Sequence, residues 1–158
     1  TLSRSEQRTP GRTPDEIGIN NGNWYFTPYD KTHDISLTTN YAFKKKWDLS
    51  ANFLFQTGQP ITYPDAQYKF MNFSIPNFET RNSNRLPNHH RLDLSAIYTP
   101  NNKENLFTGQ WIFSLFNAYN RQNAANIRFQ RNSETGQNEA IRLSIFGIIP
   151  SITYNFKF

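Results

Sequence analysis

The sequence lacks cysteine altogether, and it lacks any long uninterrupted run of apolar residues. Without cysteine the chain can form neither a disulfide nor a thiolate metal site. Without about 18 consecutive apolar residues it cannot supply a transmembrane helix. Thr1 to Arg4 carry no apolar core of a signal peptide, so we expect either a mature chain or a piece whose targeting segment lies upstream.

Signatures of catalysis are missing as well. The chain has no GxSxG, HExxH or Walker-type motif, and nothing makes its loop carboxylates converge as an acid–base pair. We therefore predict no enzymatic activity, no catalytic residue and no cofactor. His89, His90 and Asp93 suggest a metal site, but adjacent strand residues point to opposite faces and chelate poorly, so we expect no metal. The net charge of +5 is scattered over loops and turns, which argues against nucleic-acid binding.

Aromatic residues are abundant in a chain that is otherwise poor in hydrophobic ones. They make up 16% of the sequence, against 36% for all hydrophobic residues. Between Gly147 and Phe158 they follow a clear pattern, because Tyr154, Phe156 and Phe158 alternate with polar residues. Alternation with a period of two predicts a strand that has different surroundings on its two sides.

The same alternation recurs along the chain and predicts about six strands. The segments that show it are 1–8, 33–43, 47–58, 90–99, 110–121 and 147–158. Connections of short or medium length alternate with long ones rich in Pro and Asn. Short periplasmic turns and long extracellular loops are typical of outer-membrane barrels. We therefore predict an all-β fold, namely an antiparallel transmembrane β-barrel segment.

Charged and aromatic residues are sorted along these predicted strands. The charged residues fall on the polar side, as expected where the other side faces lipid; they are Asp34, Asp48, Arg91, Asp93 and Lys157. Aromatic rings gather at the strand ends that meet the short turns, where amphipathic rings favour a membrane interface. The members of this predicted aromatic girdle are Tyr41, Phe43, Trp47, Tyr98, Trp111 and Phe156. The chain ends at the same level, which predicts a periplasmic C-terminus.

Several segments, taken in this order and spacing, carry a resemblance to a known family. They are Tyr29–His33, Phe55–Pro60, Arg85–Pro87, His90–Ser95, Phe116–Arg121 and Phe146–Phe158. Together they resemble the C-terminal β-barrel segment of a TonB-dependent outer-membrane receptor of the Bacteroidota type. The resemblance covers nearly the whole chain.

The resemblance implies a 22-stranded barrel with an N-terminal plug, which imports a bulky nutrient of the glycan, siderophore or peptide class. Residues 1–158 would supply the last six strands, without the plug. The expected partners are outer-membrane lipid, the remaining strands and plug of the same receptor, the TonB complex through the absent N-terminal part, and a surface lipoprotein. Six strands are too few for a bacterial barrel, whose minimum is about eight, so we expect other strands beside them.

The resemblance also implies a role for the last aromatic residues. Tyr154, Phe156 and Phe158 would form the signal that the barrel-insertion machinery reads. Anchoring of the same rings in the girdle is the simpler explanation, and the two roles are compatible.

Aromatic residues also stand in the predicted extracellular loops. There they could stack on a sugar or another planar nutrient, or pack the loops against one another or a partner. The candidate contacts are Trp24, Tyr25, Tyr29, Tyr63, Tyr68 and Phe70. For Arg85, Arg91 and Asp93 we favour a structural role over substrate binding in the lumen.

Two other interpretations stay open. One is a small self-closed outer-membrane barrel that acts as an adhesin or scaffold, formed if segments 67–74 and 127–145 extend the main strands. The other is a soluble carbohydrate-binding β-sandwich, in which the apolar sides of the strands pack inside the particle. A sheet closed on itself would indicate the small barrel. Burial of the apolar sides of the strands would indicate the soluble sandwich.

Overall fold

In the computed structural model the chain is all-β, which confirms the fold class expected from the alternation. The structure describes residues 1–71, 73–100, 108–132, 134, 136 and 138–157. The strands are β1 (Glu6–Gln7), β2 (Tyr25–Phe26), β3 (Asp34–Phe43), β4 (Trp47–Gln56), β5 (Pro60–Ile61), β6 (Ala66–Phe70), β7 (Phe73–Asn77), β8 (Asn84–Arg85), β9 (His89–Tyr98), β10 (Thr108–Phe116), β11 (Ala124–Arg131), β12 (Asn138–Ser144) and β13 (Ile149–Lys157). A short 3-10 helix covers Ile19–Gly22.

In the part of the chain that the structure describes, no helix is both long enough and apolar enough to cross a membrane.

The chain divides into two compact units. The first consists of Thr1–Asp34 and Gln56–Asn88, and the second of Ile35–Phe55 and His89–Phe158. The first unit is thus built mainly from two of the long connections, and most of the long strands belong to the second.

Five long strands form one sheet in the order β13-β10-β9-β4-β3. The register is regular: Trp111 of β10 lies opposite Tyr98 of β9 on one side and opposite Tyr154 of β13 on the other, with antiparallel pairing. The sheet is open, because β3 and β13 stand at opposite edges rather than pairing with each other. Closure into a barrel is therefore not seen, and the transmembrane barrel stays a prediction.

The first expected strand is where the structure differs most from the sequence prediction. Within segment 1–8 only Glu6–Gln7 forms a strand, and it pairs with Tyr25–Phe26 instead of joining the main sheet. Leu2 makes an isolated bridge with His33. Segment 1–8 contains a single hydrophobic residue, so it has no apolar side to extend the sheet's apolar face. The main sheet therefore has five strands rather than six.

Two hairpins stand outside the main sheet. In one of them β11 pairs with β12 in antiparallel register. β6 and β7 pair in the same antiparallel way within the first unit. Each hairpin is a separate two-stranded sheet, so neither lengthens the main strands as a self-closed barrel would require.

Asn117 ends β10 and fixes the chain that follows it. Its φ of 55° is a left-handed conformation, which Asn tolerates better than most residues. The side chain is fully buried: Nδ2 donates to the carbonyl of Arg121 at 2.9 Å, and Oδ1 accepts from the backbone N–H of Arg121 at 3.0 Å. The backbone N–H of Asn117 donates to Asp93 at 3.0 Å. These bonds tie the end of β10 to β9 and close the turn.

The first unit is organised around the carboxylate of Asp30, which is 1% exposed. It accepts hydrogen bonds from the guanidinium of Arg85 and from the backbone N–H of Ser5. Arg85 also donates to the carbonyl of Gly58 at 3.0 Å, and its guanidinium lies 4.6 Å from the centre of the Phe26 ring. A buried charge is tolerated only when it is paired and hydrogen-bonded in this way.

Gly58 is needed because two chain segments approach each other closely there. A Cβ at this position would lie 1.7 Å from the carbonyl oxygen of Leu86, closer than any side chain can come. The glycine is buried, and its N–H donates to Asn88. Only glycine lets this position, two residues after the end of β4, pass this close to the connection that leads into β9.

Candidate functional site

One face of the main sheet is apolar and uncovered. The exposed fractions of its large hydrophobic side chains run from 37% for Leu49 to 67% for Ile152. Such residues come from all five strands: Ile35, Leu37, Tyr41, Phe43, Leu49, Leu94, Trp111, Phe113, Ile152, Tyr154 and Phe156. Among the described residues of the whole chain, Tyr25 is the only hydrophobic one that counts as buried, and it belongs to the first unit. The apolar face of this sheet is therefore not the inside of a packed core.

The opposite face is mainly polar, although Leu54, Ile97, Ile112 and Ile149 also lie on it, and it carries a row of small hydroxyl side chains. Ser50 and Ser95 are hydrogen-bonded to each other at 2.6 Å, and Ser95 lies opposite Ser114. Ser114 in turn lies opposite Ser151 on the edge strand β13. The row thus crosses β4, β9, β10 and β13 at one level, directly behind the apolar face.

Arg91 and Asp93 explain the one aromatic residue that departs from the alternation. Nε of Arg91 lies 3.0 Å from the carboxylate of Asp93, and its guanidinium lies 4.0 Å from the centre of the Phe116 ring. Phe116 therefore belongs on the polar face because it covers a guanidinium, a favourable cation–π arrangement. These contacts give Arg91 and Asp93 partners within the sheet, in line with the structural role favoured above.

The predicted girdle residues come together as a row of rings at one end of the apolar face. Trp47 lies 4.8 Å from Tyr98 and 6.3 Å from Phe113, measured between ring centres. Trp111 lies 4.6 Å from Tyr154, which lies 6.2 Å from Phe156. On the other edge strand Tyr41 lies 6.3 Å from Phe43. Tyr154 and Phe156 of the expected assembly signal belong to this row, whereas Phe158 lies outside the described residues.

Gly109 lets the ring of Tyr154, a member of this row, lie against the backbone of β10. A Cβ at this position would lie 2.1 Å from the hydroxyl oxygen of Tyr154, so the tyrosine ring covers the bare backbone of the neighbouring strand. We expect Gly109→Val to displace that ring and to lower the thermal stability of the folded protein by a few degrees, because the packing of Tyr154 is lost. Circular dichroism melting in detergent micelles measures the change. Ala42→Val is the control, because Ala42 is an exposed strand residue on the polar parity of β3, away from Tyr154.

A second aromatic cluster lies at the other end of the same face, and the sequence prediction missed it. His90 donates to or accepts from the hydroxyl of Tyr119 at 2.7 Å, and its ring centre lies 6.5 Å from those of both Phe53 and Phe55. His90 and Tyr98 are separated by about 26 Å along β9 at roughly 3.3 Å per residue. With a strand tilt of about 40° this is roughly 20 Å in height, close to the apolar band of about 25 Å in outer-membrane barrels.

The loop candidates lie in the first unit and have different surroundings. Trp24, Tyr29, Tyr68 and Phe70 are strongly exposed, and the last two are neighbours on one side of strand β6. Tyr63 is half-buried, and burial raises the pKa of its hydroxyl. Tyr25 is different, because it is buried and its hydroxyl is hydrogen-bonded to Thr9 at 2.9 Å. The structure therefore places Tyr25 in the packing of the unit rather than on its surface.

Arg85 is held by structural contacts rather than offered to a ligand. Burial by itself would raise the pKa of Asp30, but hydrogen bonds from Arg85, Ser5 and Thr32, together with the charge of Arg85, lower it below its ordinary value. Asp30 is therefore ionised at neutral pH and pairs with the guanidinium. Sequence alone could not find this pair, since its members are 55 residues apart.

No protein-family model, curated protein or solved structure matches the chain. The described residues contain no group of three or more His, Asp or Glu side chains that could hold a metal ion. What the described part of the chain offers is a two-faced sheet and a loop unit with exposed rings.

Proposed function

We propose that the chain is part of the wall and the extracellular loops of a TonB-dependent transporter in a bacterial outer membrane. The observation that supports this most strongly is the uncovered apolar face, to which every strand of the main sheet contributes. An exposed apolar surface that crosses five strands is unfavourable in water and is the normal outer surface of a membrane barrel. The polar face then lines the lumen.

The two aromatic clusters support the same proposal. Transmembrane barrels carry rings at both membrane interfaces, with an apolar band between them. In this sheet the Trp47–Tyr98 contact lies at one end of the apolar face, and the His90–Tyr119 contact lies at the other. Between them the face carries aliphatic residues such as Leu49 and Leu94. We assign the Trp47 end, which adjoins the short turns, to the periplasmic side, together with the C-terminus.

The two edge strands of the sheet indicate which partners the proposed transporter wall requires. Among the strands that the structure describes, β3 and β13 each have a neighbour in the sheet on one side only. Unpaired backbone groups are costly in hydrocarbon, so further strands of the same receptor cover both edges. Its plug occupies the lumen, and the TonB complex acts through the receptor's N-terminal part. A surface lipoprotein is a further candidate partner, for the exposed rings of the loops.

The proposed transport role concerns a bulky nutrient of the glycan, siderophore or peptide class. This chain supplies wall and loops, and the plug gates passage. The exposed loop rings, Trp24, Tyr29, Tyr68 and Phe70, are the surfaces that would meet the nutrient or a partner. The two alternatives are less well supported, because the sheet is open rather than self-closed and its apolar side is not packed inside the described part of the chain.

Spin labelling at alternate positions tests the proposal directly. The chain has no cysteine, so single cysteines can be introduced at Leu37 and Ile152 on the apolar face. In the protein reconstituted in liposomes, labels there should collide with dissolved oxygen and be shielded from a water-soluble nickel chelate. Oxygen concentrates in hydrocarbon, whereas the chelate stays in water.

The neighbouring residues provide the matched controls. Labels at Thr38 and Ser151 differ by one residue and face the polar side, so they should show the reverse accessibility. A protein that stays monodisperse without detergent, or that shields both sets of labels equally, would exclude the transporter wall and favour a soluble sandwich.

A further inference from the structure

A depression of about 430 Å³ lies on the apolar face, in the half of the sheet next to the Trp47 end. It exists because two small residues, Ala51 and Ala96, stand among larger ones. Leu49, Leu94 and Phe113 form its walls. The volume lies within the range of ligand sites. Most of the accessible lining surface is apolar, which suits a hydrocarbon chain, although Thr39, Ser50, Ser95 and Ser114 also border the depression.

Three consecutive lysines, Lys44 to Lys46, form the turn that joins β3 to β4 at this same end. All three are exposed. The ammonium of Lys44 lies 5.1 Å from the centre of the Phe43 ring, which places that charge on the apolar side of the sheet. Tyr41 and Leu49, which line the depression, lie only three residues from the nearest lysine, about 10 Å along the strands.

The conformation of the turn is a further observation. Lys44 has a φ of 63°, a left-handed conformation that Gly or Asn adopts at lower cost. A lysine at this position is therefore conformationally unfavourable, but it supplies a third adjacent positive charge. The described acidic residue nearest in sequence, Asp48, falls on the opposite, polar parity of β4.

We propose that the depression and the lysine turn together bind one anionic phospholipid. Its phosphate pairs with the ammonium groups of Lys44–Lys46, and an acyl chain lies over Ala51 and Ala96. Charge complementarity selects this occupant over a zwitterionic lipid, because adjacent lysines at a membrane surface attract anionic headgroups. The inference rests on the proposed function, since it requires the apolar face to lie in the membrane.

Native mass spectrometry of the intact receptor that contains residues 1–158, released from nanodiscs, tests the inference. The nanodiscs contain phosphatidylglycerol and phosphatidylcholine in equal amounts. We expect one phosphatidylglycerol to be retained per protein, in at least tenfold preference to phosphatidylcholine. Replacing Lys44, Lys45 and Lys46 together by Gln should abolish the preference, and replacing all three by Arg should keep it.

Two further variants test the acyl-chain site independently of the lysine turn. Ala96→Phe fills the depression and should lower retention of both lipids, and Ala51→Leu should act in the same direction with a milder change in shape. The control is Arg128→Gln with Arg142→Gln, which removes two charges from the β11–β12 hairpin and should leave the preference unchanged.

The outcomes distinguish this inference from the proposed function. Equal retention of the two lipids by the wild-type protein, or an unchanged preference in the Lys→Gln variant, overturns the phospholipid site while leaving the transporter wall intact. A dimer without bound lipid also overturns it, because a second copy would then cover the face. A protein that never enters the nanodisc overturns both proposals.

Discussion

Leu94→Arg is expected to deplete the protein from the outer membrane, or to destabilise it there by roughly 2–4 kcal/mol. Leu94 lies near the middle of β9 on the uncovered apolar face, with 40% of its surface exposed. If that face meets hydrocarbon, the guanidinium has no water or partner at mid-membrane depth. Two measurements check the effect: the amount of protein in the outer-membrane fraction of its host, and the free energy of urea unfolding of the purified protein in micelles.

Ser95→Arg is the matched control, one residue along the same strand. Ser95 lies on the polar face, where its hydroxyl is hydrogen-bonded to Ser50. Loss of that bond costs about 1 kcal/mol, and the new charge can reach water in the lumen, so this variant should be clearly better tolerated. Equal damage at both positions would mean that both faces are buried, as in a β-sandwich, and would contradict the transporter wall.

The second large effect is expected at the buried ion pair of the first unit. Asp30→Ala removes the carboxylate that holds Arg85 and the backbone N–H of Ser5, and it leaves a partly buried guanidinium without its partner. Breaking a buried pair from one side costs about 3–5 kcal/mol. Hydrogen exchange in segments 1–34 and 56–88 should therefore become much faster than in the wild-type protein.

The Arg4–Glu6 pair, in which only the Arg4 side chain is strongly exposed, serves as the control for this change. Arg4 keeps 70% of its side-chain surface exposed, so Glu6→Ala should leave the exchange rates nearly unchanged. Equal effects of the two substitutions would show that the pair at Asp30 does not organise the unit.

The same carboxylate predicts a dependence on pH. The pKa of Asp30 is lowered in the folded state, from an ordinary value of 3.8, so its stabilising effect is complete above that value. As the pH falls further, the unfolded state takes up the proton first, and the stabilisation is lost as the pH passes through the folded-state pKa. The protection factors of amides in the first unit, which allow for the slower intrinsic exchange at acid pH, should fall on acidification in the wild-type protein, and this fall should be smaller in Asp30→Asn.

Local pattern in the sequence was enough to predict the main strands and the two faces of the sheet. Ile35, Leu37 and Tyr41 share the apolar side, and Asp93 and Ser95 share the polar side, because successive side chains in a strand point in opposite directions whatever the strand pairs with. The aromatic row at the Trp47 end follows in the same way, since it depends on strand ends and short turns. The β11–β12 pairing was also within reach, because it is a local hairpin.

Other features could not be predicted from the sequence, because they depend on contacts between segments that are far apart in the chain. Alternation could not show that segment 1–8 pairs mainly with Tyr25–Phe26, or that Tyr25 is buried among the loops. Phe116 broke the expected pattern until its contact with Arg91 was known. The cluster around His90 and Tyr119 was missed because its members come from β4, β9 and the turn after β10, and no single segment contains them.

By itself the sequence determined the fold class, the approximate positions of the five long strands and the two-sidedness of their sheet. The periodicity of a strand is a property of its own backbone, and so it can be read locally. Only the tertiary structure decided that the sheet is open, that its apolar face is uncovered and that Asp30 and Arg85 form a buried pair. Each of these results depends on contacts between residues far apart in the chain, which no local pattern specifies.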